Sequence, residues 1–103
     1  MFIRNKGIEF NVVIVPARYE VNHYWFDYSM SLYELSSDKY SVDTAYQKAI
    51  DFFESNSVKV LDGRSAFKNI ENQNVWDYYF TYDGHFNKKG HLMFSEWIAE
   101  KLP

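Results

Sequence analysis

Within Tyr82-Asp83-Gly84-His85-Phe86-Asn87-Lys88-Lys89-Gly90-His91, a carboxylate and an imidazole stand two positions apart on a glycine-containing turn. An amphipathic helical pattern follows at once. In an extended segment residues i and i+2 project to the same side, ~6–7 Å apart along the chain. Asp83 can therefore reach one ring nitrogen of His85 and leave the other facing outward. A carboxylate that orients an imidazole is the acid-plus-base half of a nucleophilic triad. The nucleophile itself is not visible. There is no cysteine, and none of the nine serines stands in an evidently activating setting. Ser95 falls in the last helix, Ser65 in a turn and Ser57 at a helix end, so none is activated. Two other readings of the same residues stand beside this one. In the first, Asp83 caps local amides and His85 is simply buried. In the second, Asp83, His85 and His91 ligate a metal, although three ligands at this spacing match no closed zinc pattern and a structural site needs a fourth. His91 reads better as a packing residue in the first turn of the helix.

The elements that must position this pair also carry a resemblance. Asp83-Gly84-His85-Phe86-Asn87-x-x-Gly90-His91, followed by a helix ending Trp97-Ile98-Ala99-Glu100-Lys101-Leu102, resembles the last motif block of the SGNH (GDSL-type) hydrolases, in particular a bacterial branch with an Asp-Gly-His-Phe-Asn signature. Val12-Val13-Ile14-Val15-Pro16-Ala17-Arg18 looks like the family's late core strand running into a proline. Val58-Lys59-Val60-Leu61-Asp62-Gly63-Arg64 looks like its last core strand. The resemblance spans residues 8–102, the C-terminal third to half of a family member, and only the final block is specific. The Gly-Asp-Ser block and the glycine and asparagine blocks of the oxyanion hole are absent. The family's common spacing is Asp-x-x-His, whereas this chain has Asp-x-His.

Composition bounds the rest. With 103 residues the chain makes one small domain, able to bury ~65% of its unfolded surface. Apolar residues at 47% and charged residues at 24% are ordinary globular values and argue against disorder. Nine Tyr, nine Phe and three Trp are an unusual aromatic load, enough to fill a small core or to leave sticky surface for a partner. A net charge of −3 argues against nucleic acid, which wants a basic face. No apolar run approaches the ~20 residues of a membrane span, and the first residues lack a signal-peptide pattern. Without cysteine there is no disulfide framework, and the compartment is left open.

Taken in order, Met1–Lys6 reads as the tail of a helix ended by Gly7, which makes a truncated piece the expectation. Asn11–Val15 is a short β-branched run, the pattern of a strand buried on both faces, and Pro16 ends it. Residues 17–41 predict a long aromatic loop containing a short helix over Met30–Leu35. The loop forms either an aromatic wall beside the active site or local packing over the sheet edge, with His23 an ordinary loop histidine. Ser41 or Asp43 caps a helix whose stripe is Val42, Ala45, Tyr46, Ala49, Ile50 and Phe53, and Asn56 and Ser57 stop it. Val58–Leu61 is a second strand, so a βαβ unit with parallel strands and a right-handed crossover is predicted. Asp62 either lines a site at the strand's carboxyl end or caps the turn through Ser65-Ala66-Phe67. Residues 68–75 are a polar connector. Trp76, Tyr78, Phe80 and Tyr82 alternate, which predicts a half-buried extended segment delivering Asp83. Asn87 caps the final helix, Gly90 permits a close backbone approach, and Phe94, Trp97, Ile98 and Leu102 form the buried stripe.

The fold expected is a single incomplete α/β domain over residues 1–103. It would be a partial three-layer sandwich with a short parallel sheet, corresponding under the resemblance to the C-terminal part of a flavodoxin-like hydrolase fold. The resemblance then implies a C-terminal portion of a serine ester hydrolase, inactive alone, with His85 as base and Asp83 as acid and with no cofactor. It points to a small ester or acetylated carbohydrate as substrate and an extracytoplasmic setting for the parent protein. The alternative is a small non-enzymatic α/β module that binds a protein partner through its aromatic surface. Under both, an open sheet edge predicts self-association or pairing with the missing N-terminal part.

Overall fold

The computed structural model describes residues 7–36 and 39–102, so the expected helix tail at Met1–Lys6 lies outside the described residues. The domain is a small mixed α/β unit around a two-stranded parallel sheet. Strand β1 (Asn11–Ile14) pairs with β2 (Lys59–Asp62) in the register Asn11 to Lys59 through Ile14 to Asp62. Strand β1 holds the β-branched run Val12-Val13-Ile14, which favours the extended backbone because a branched Cβ packs well on a pleated surface, whereas β2 has only Val60 of that kind. Strand β2 lies one residue later than the sequence suggests, and Val58 is buried at its threshold. The strand–helix–strand order with parallel strands is the expected βαβ unit. Its helix is α3 (Thr44–Ser55), which buries Tyr46 and Ile50. Ala45 is exposed, so the apolar stripe is narrower than its spacing suggests. Neither Ser41 nor Asp43 caps α3 through its side chain. Asp43 is instead drawn to Arg64, whose Nη1 donates to Oδ1 at 2.9 Å.

Residues 17–41 are not the expected loop. Two helices follow Pro16: α1 (Arg18–Val21) and α2 (His23–Leu32). The short helix predicted over Met30–Leu35 is corrected accordingly, because Glu34 has φ 55° and lies outside helical space. Buried Asn22 starts α2, its side chain accepting from the Trp25 amide at 3.0 Å, and aromatic residues fill the helix. Such residues lose χ1 freedom in a helix and hide its periodicity.

In the core Phe67, Val75, Tyr79, Phe86 and Phe94 meet, and Val13, Val21, Ile70, Trp97 and Ile98 pack around them. Helix α4 (Lys88–Lys101) supplies Phe94, with Trp97, Ile98 and Leu102 half-buried as the stripe predicted. The extended segment expected from Trp76, Tyr78, Phe80 and Tyr82 does not form. Residues Asn72–Tyr78 wind as a 3-10 helix, following a first one at Gly63–Phe67. Among the described side chains there, Val75 is buried at 1% exposure and Tyr79, just past the winding, at 4%, while Tyr82 is 99% exposed. The tendency of aromatics to favour strands is overridden because this winding drops Val75 and Tyr79 into the core. Gly90 is needed for close approach, since a methyl there would overlap the Tyr78 carbonyl.

Candidate active site

The turn bearing Asp83 and His85 is held at both ends. Beyond the second 3-10 helix, Tyr79 becomes extended and bridges antiparallel to Phe86. The Phe80 N–H donates to the His85 carbonyl at 3.1 Å, and the Asn87 N–H to the Tyr78 carbonyl at 3.1 Å. The Tyr79 hydroxyl donates to the Pro16 carbonyl at 3.2 Å, which ties the turn to the carboxyl end of β1. Burial pushes that phenol's pKa above the usual tyrosine value. Asn87 secures the exit. Its Oδ1 accepts from the Gly90 amide at 2.8 Å, the predicted cap of α4, and its Nδ2 donates to the Asp77 and Tyr79 carbonyls. This one side chain starts the helix and fixes the strand-like stub before the turn.

Between these anchors the backbone is a run of bends rather than the extended segment assumed from spacing. The two side chains meet all the same. Asp83 Oδ1 accepts from the His85 backbone N–H at 2.9 Å, and the same oxygen contacts His85 Nδ1. Bonding to the imidazole ring, then to the amide, holds the Asp83 carboxyl below its usual range. The capping role and the orienting role, set against each other on sequence grounds, are filled together by one oxygen. His85 is not buried: its side chain is 85% exposed and that of Asp83 58%. With Nδ1 engaged, Nε2 is left without a hydrogen-bond partner among the described residues.

His85 stands at the rim of an open depression of about 370 Å³ whose other walls include Val15, Pro16, Glu20, Gly84 and Phe86. His91, on the first turn of α4, is exposed and sets its ring edge-on to Phe86 at 5.7 Å. Glu20 Oε1 accepts from the Ala17 amide at 2.7 Å. Partial burial draws its carboxyl above the ordinary glutamate value, opposed by that bond. Asp83, His85 and His91 are not gathered as ligands, since among the described residues no group of three His, Cys, Asp or Glu could hold a metal ion. Among the described residues no serine hydroxyl is bonded to His85. The Oγ of Ser95 donates to the Leu92 carbonyl within its own helix.

Asp62 caps the turn, the second of the two roles its position allowed. It accepts from the Arg64 amide at 3.0 Å and from the Arg64 guanidinium at 2.7 Å. Burial alone would raise this carboxyl, but the donors from Arg64 outweigh it and the net shift is downward. His23 lies exposed in the first turn of α2.

Sequence reasoning missed Arg18. Its Nη1 donates to the Phe80 carbonyl at 2.9 Å and the Thr81 carbonyl at 3.2 Å, with the Asp83 carbonyl at 3.5 Å. Its Cζ lies 3.3 Å from the centroid of the Trp25 ring. The aromatic stretch of α2 thus approaches the turn through Trp25, and Tyr24, Tyr28, Trp76 and Tyr82 line a neighbouring hollow of about 390 Å³. No local spacing signals these contacts.

Comparison with protein-family models finds no matching family, and comparisons with curated proteins and with solved structures find no match.

Proposed function

We propose that this chain carries the acid–base half of a serine ester hydrolase of the SGNH type. The nucleophilic hydroxyl and the oxyanion donors would come from polypeptide outside these 103 residues. One observation carries the proposal: Asp83 holds Nδ1 of an imidazole that is 85% exposed and whose Nε2 has no partner among the described residues. A histidine serving only as packing needs no such exposure.

In this reading Nε2 of His85 takes the proton of a serine hydroxyl as its oxygen attacks an ester carbonyl. The tetrahedral adduct collapses, the carbon–oxygen bond to the alcohol breaks, and Nε2–H returns the proton to the leaving alkoxide. A water then repeats the cycle on the acyl-enzyme. Asp83 keeps the proton on Nδ1 and stabilises the imidazolium. Positioned proton transfer contributes typically ~10²–10⁴-fold, and oxyanion donors a comparable share. Neither acts without the nucleophile, so the chain alone is inactive. The substrate class that goes with the reading is an acetylated carbohydrate or cell-envelope ester.

A second reading has its own support. Tyr24, Tyr28, Trp76 and Tyr82 are each at least 40% exposed, an aromatic surface suited to a protein partner in a non-enzymatic module. The deciding experiment starts from the DNA upstream. If the reading frame continues back through a Gly-Asp-Ser block, that segment is made separately, mixed with this chain and assayed on p-nitrophenyl acetate. Hydrolysis by the mixture but by neither part supports the hydrolase. A frame lacking that block, or an inert folded mixture, favours the binding module.

A further inference from the structure

The segment that presents Asp83 and His85 contains no regular secondary structure, yet its side chains meet in one geometry. Its backbone carbonyls suggest what holds it. Those of Phe80, Thr81 and Asp83 converge on the same nitrogen, Nη1 of Arg18, at 2.9, 3.2 and 3.5 Å. Convergent carbonyl dipoles repel one another unless a cation lies between them. Here the cation arrives from a residue more than sixty positions away in the chain. Its plane is itself fixed, because the guanidinium lies over the Trp25 ring, which contacts Trp76 at 4.9 Å and Tyr28 at 5.5 Å. Trp76 belongs to the 3-10 helix that leads into the turn. Stacking and hydrogen bonding thus tie α1, α2 and the turn into one unit.

We infer that Arg18 is the positioning residue of the Asp83–His85 pair, its guanidinium clamped on Trp25 and holding the loop backbone from which both side chains project. It touches no reacting atom; it acts through Asp83. A lysine does not replace it, since an ammonium lacks the planar fork that both stacks and donates along fixed directions. The consequence for catalysis rests on the hydrolase reading above, whereas the consequence for His85 does not.

The test is therefore made on His85 first. Long-range proton–nitrogen NMR of the neutral imidazole reports which ring nitrogen carries the proton. The unaltered chain is expected to show the Nδ1–H tautomer, and Asp83→Ala supplies the reference without a partner. Arg18→Met keeps an apolar stem over Trp25 but no donor, and it is expected to shift His85 toward the Asp83→Ala spectrum, with Arg18→Lys between the two. A folded Arg18→Met chain with the unaltered tautomer overturns the inference. Should that variant fail to fold, the Nη protons of Arg18 in the unaltered chain decide. Separate, slowly exchanging signals support the clamp, and freely averaged ones overturn it. In the complemented hydrolase, Arg18→Met should lower kcat about 100-fold with KM little changed, the scale expected of a small misplacement of a catalytic group. A tautomer shift without loss of hydrolysis keeps the clamp and removes His85 as the base of that hydrolysis.

Discussion

His85 gives Asp83 two contacts on a single oxygen: its backbone N–H lies 2.9 Å from Oδ1, and its ring Nδ1 meets the same atom. The first closes the turn and the second turns the ring, so the fold of the loop and the orientation of the imidazole are one event. A substitution at Asp83 therefore removes both.

The helix that follows is capped from this turn by Asn87 and closes against the second 3-10 helix at Gly90. A Cβ at Gly90 would run into the Tyr78 carbonyl and press on Phe86. Gly90→Ala, which would favour an isolated helix, should here destabilise the chain by about 1–3 kcal/mol. Urea denaturation measures it. An unchanged midpoint would mean that α4 does not pack against the second 3-10 helix as described.

The Asp62–Arg64 pair makes stability depend on pH in one direction. The folded carboxyl has a lower pKa than the unfolded one, so its contribution is full above the unfolded value of about 3.9. It is lost as pH falls through the folded value. Asp62→Asn should cost about 1–2 kcal/mol at neutral pH, the scale of hydrogen bonds to a charged group that is partly exposed. The gap between the two proteins should close below about pH 4. Thermal melts across pH 3–7 give the curve, and a gap that widens in acid contradicts the assignment.

Strands β1 and β2 pair only with each other among the described residues, and two parallel strands make a sheet with open edges. Val15 and Ile8, beside β1, are more than half exposed. Light scattering at micromolar concentration should give a mass above one chain, and a mass of one chain contradicts this.

What could be read from the residues was local. Asn87 before a helix, Gly90 within it, Asp83 near His85 and the pattern of α3 between two short apolar runs all act over a few positions. Two regions escaped for opposite reasons. Around Trp76 an alternation of aromatics mimicked a strand, while the burial that mattered was the i, i+4 pair Val75 and Tyr79. Across His23–Leu32 the aromatic residues hid a helix that Asn22 caps. Arg18 was out of reach because its partners are distant in sequence, and nothing near it shows that three carbonyls will gather there. The fold was thus legible where neighbours decide it, and the turn's support was not.

We propose that His85, steered by Asp83, is the base for a hydroxyl borne by another stretch of polypeptide. The most direct test is kcat for p-nitrophenyl acetate in the chain combined with its serine-bearing complement, comparing His85→Ala with His23→Ala. A loss of about 10²–10⁴-fold is expected for His85→Ala and none for His23→Ala. Hydrolysis that proceeds equally well without the His85 imidazole would contradict it.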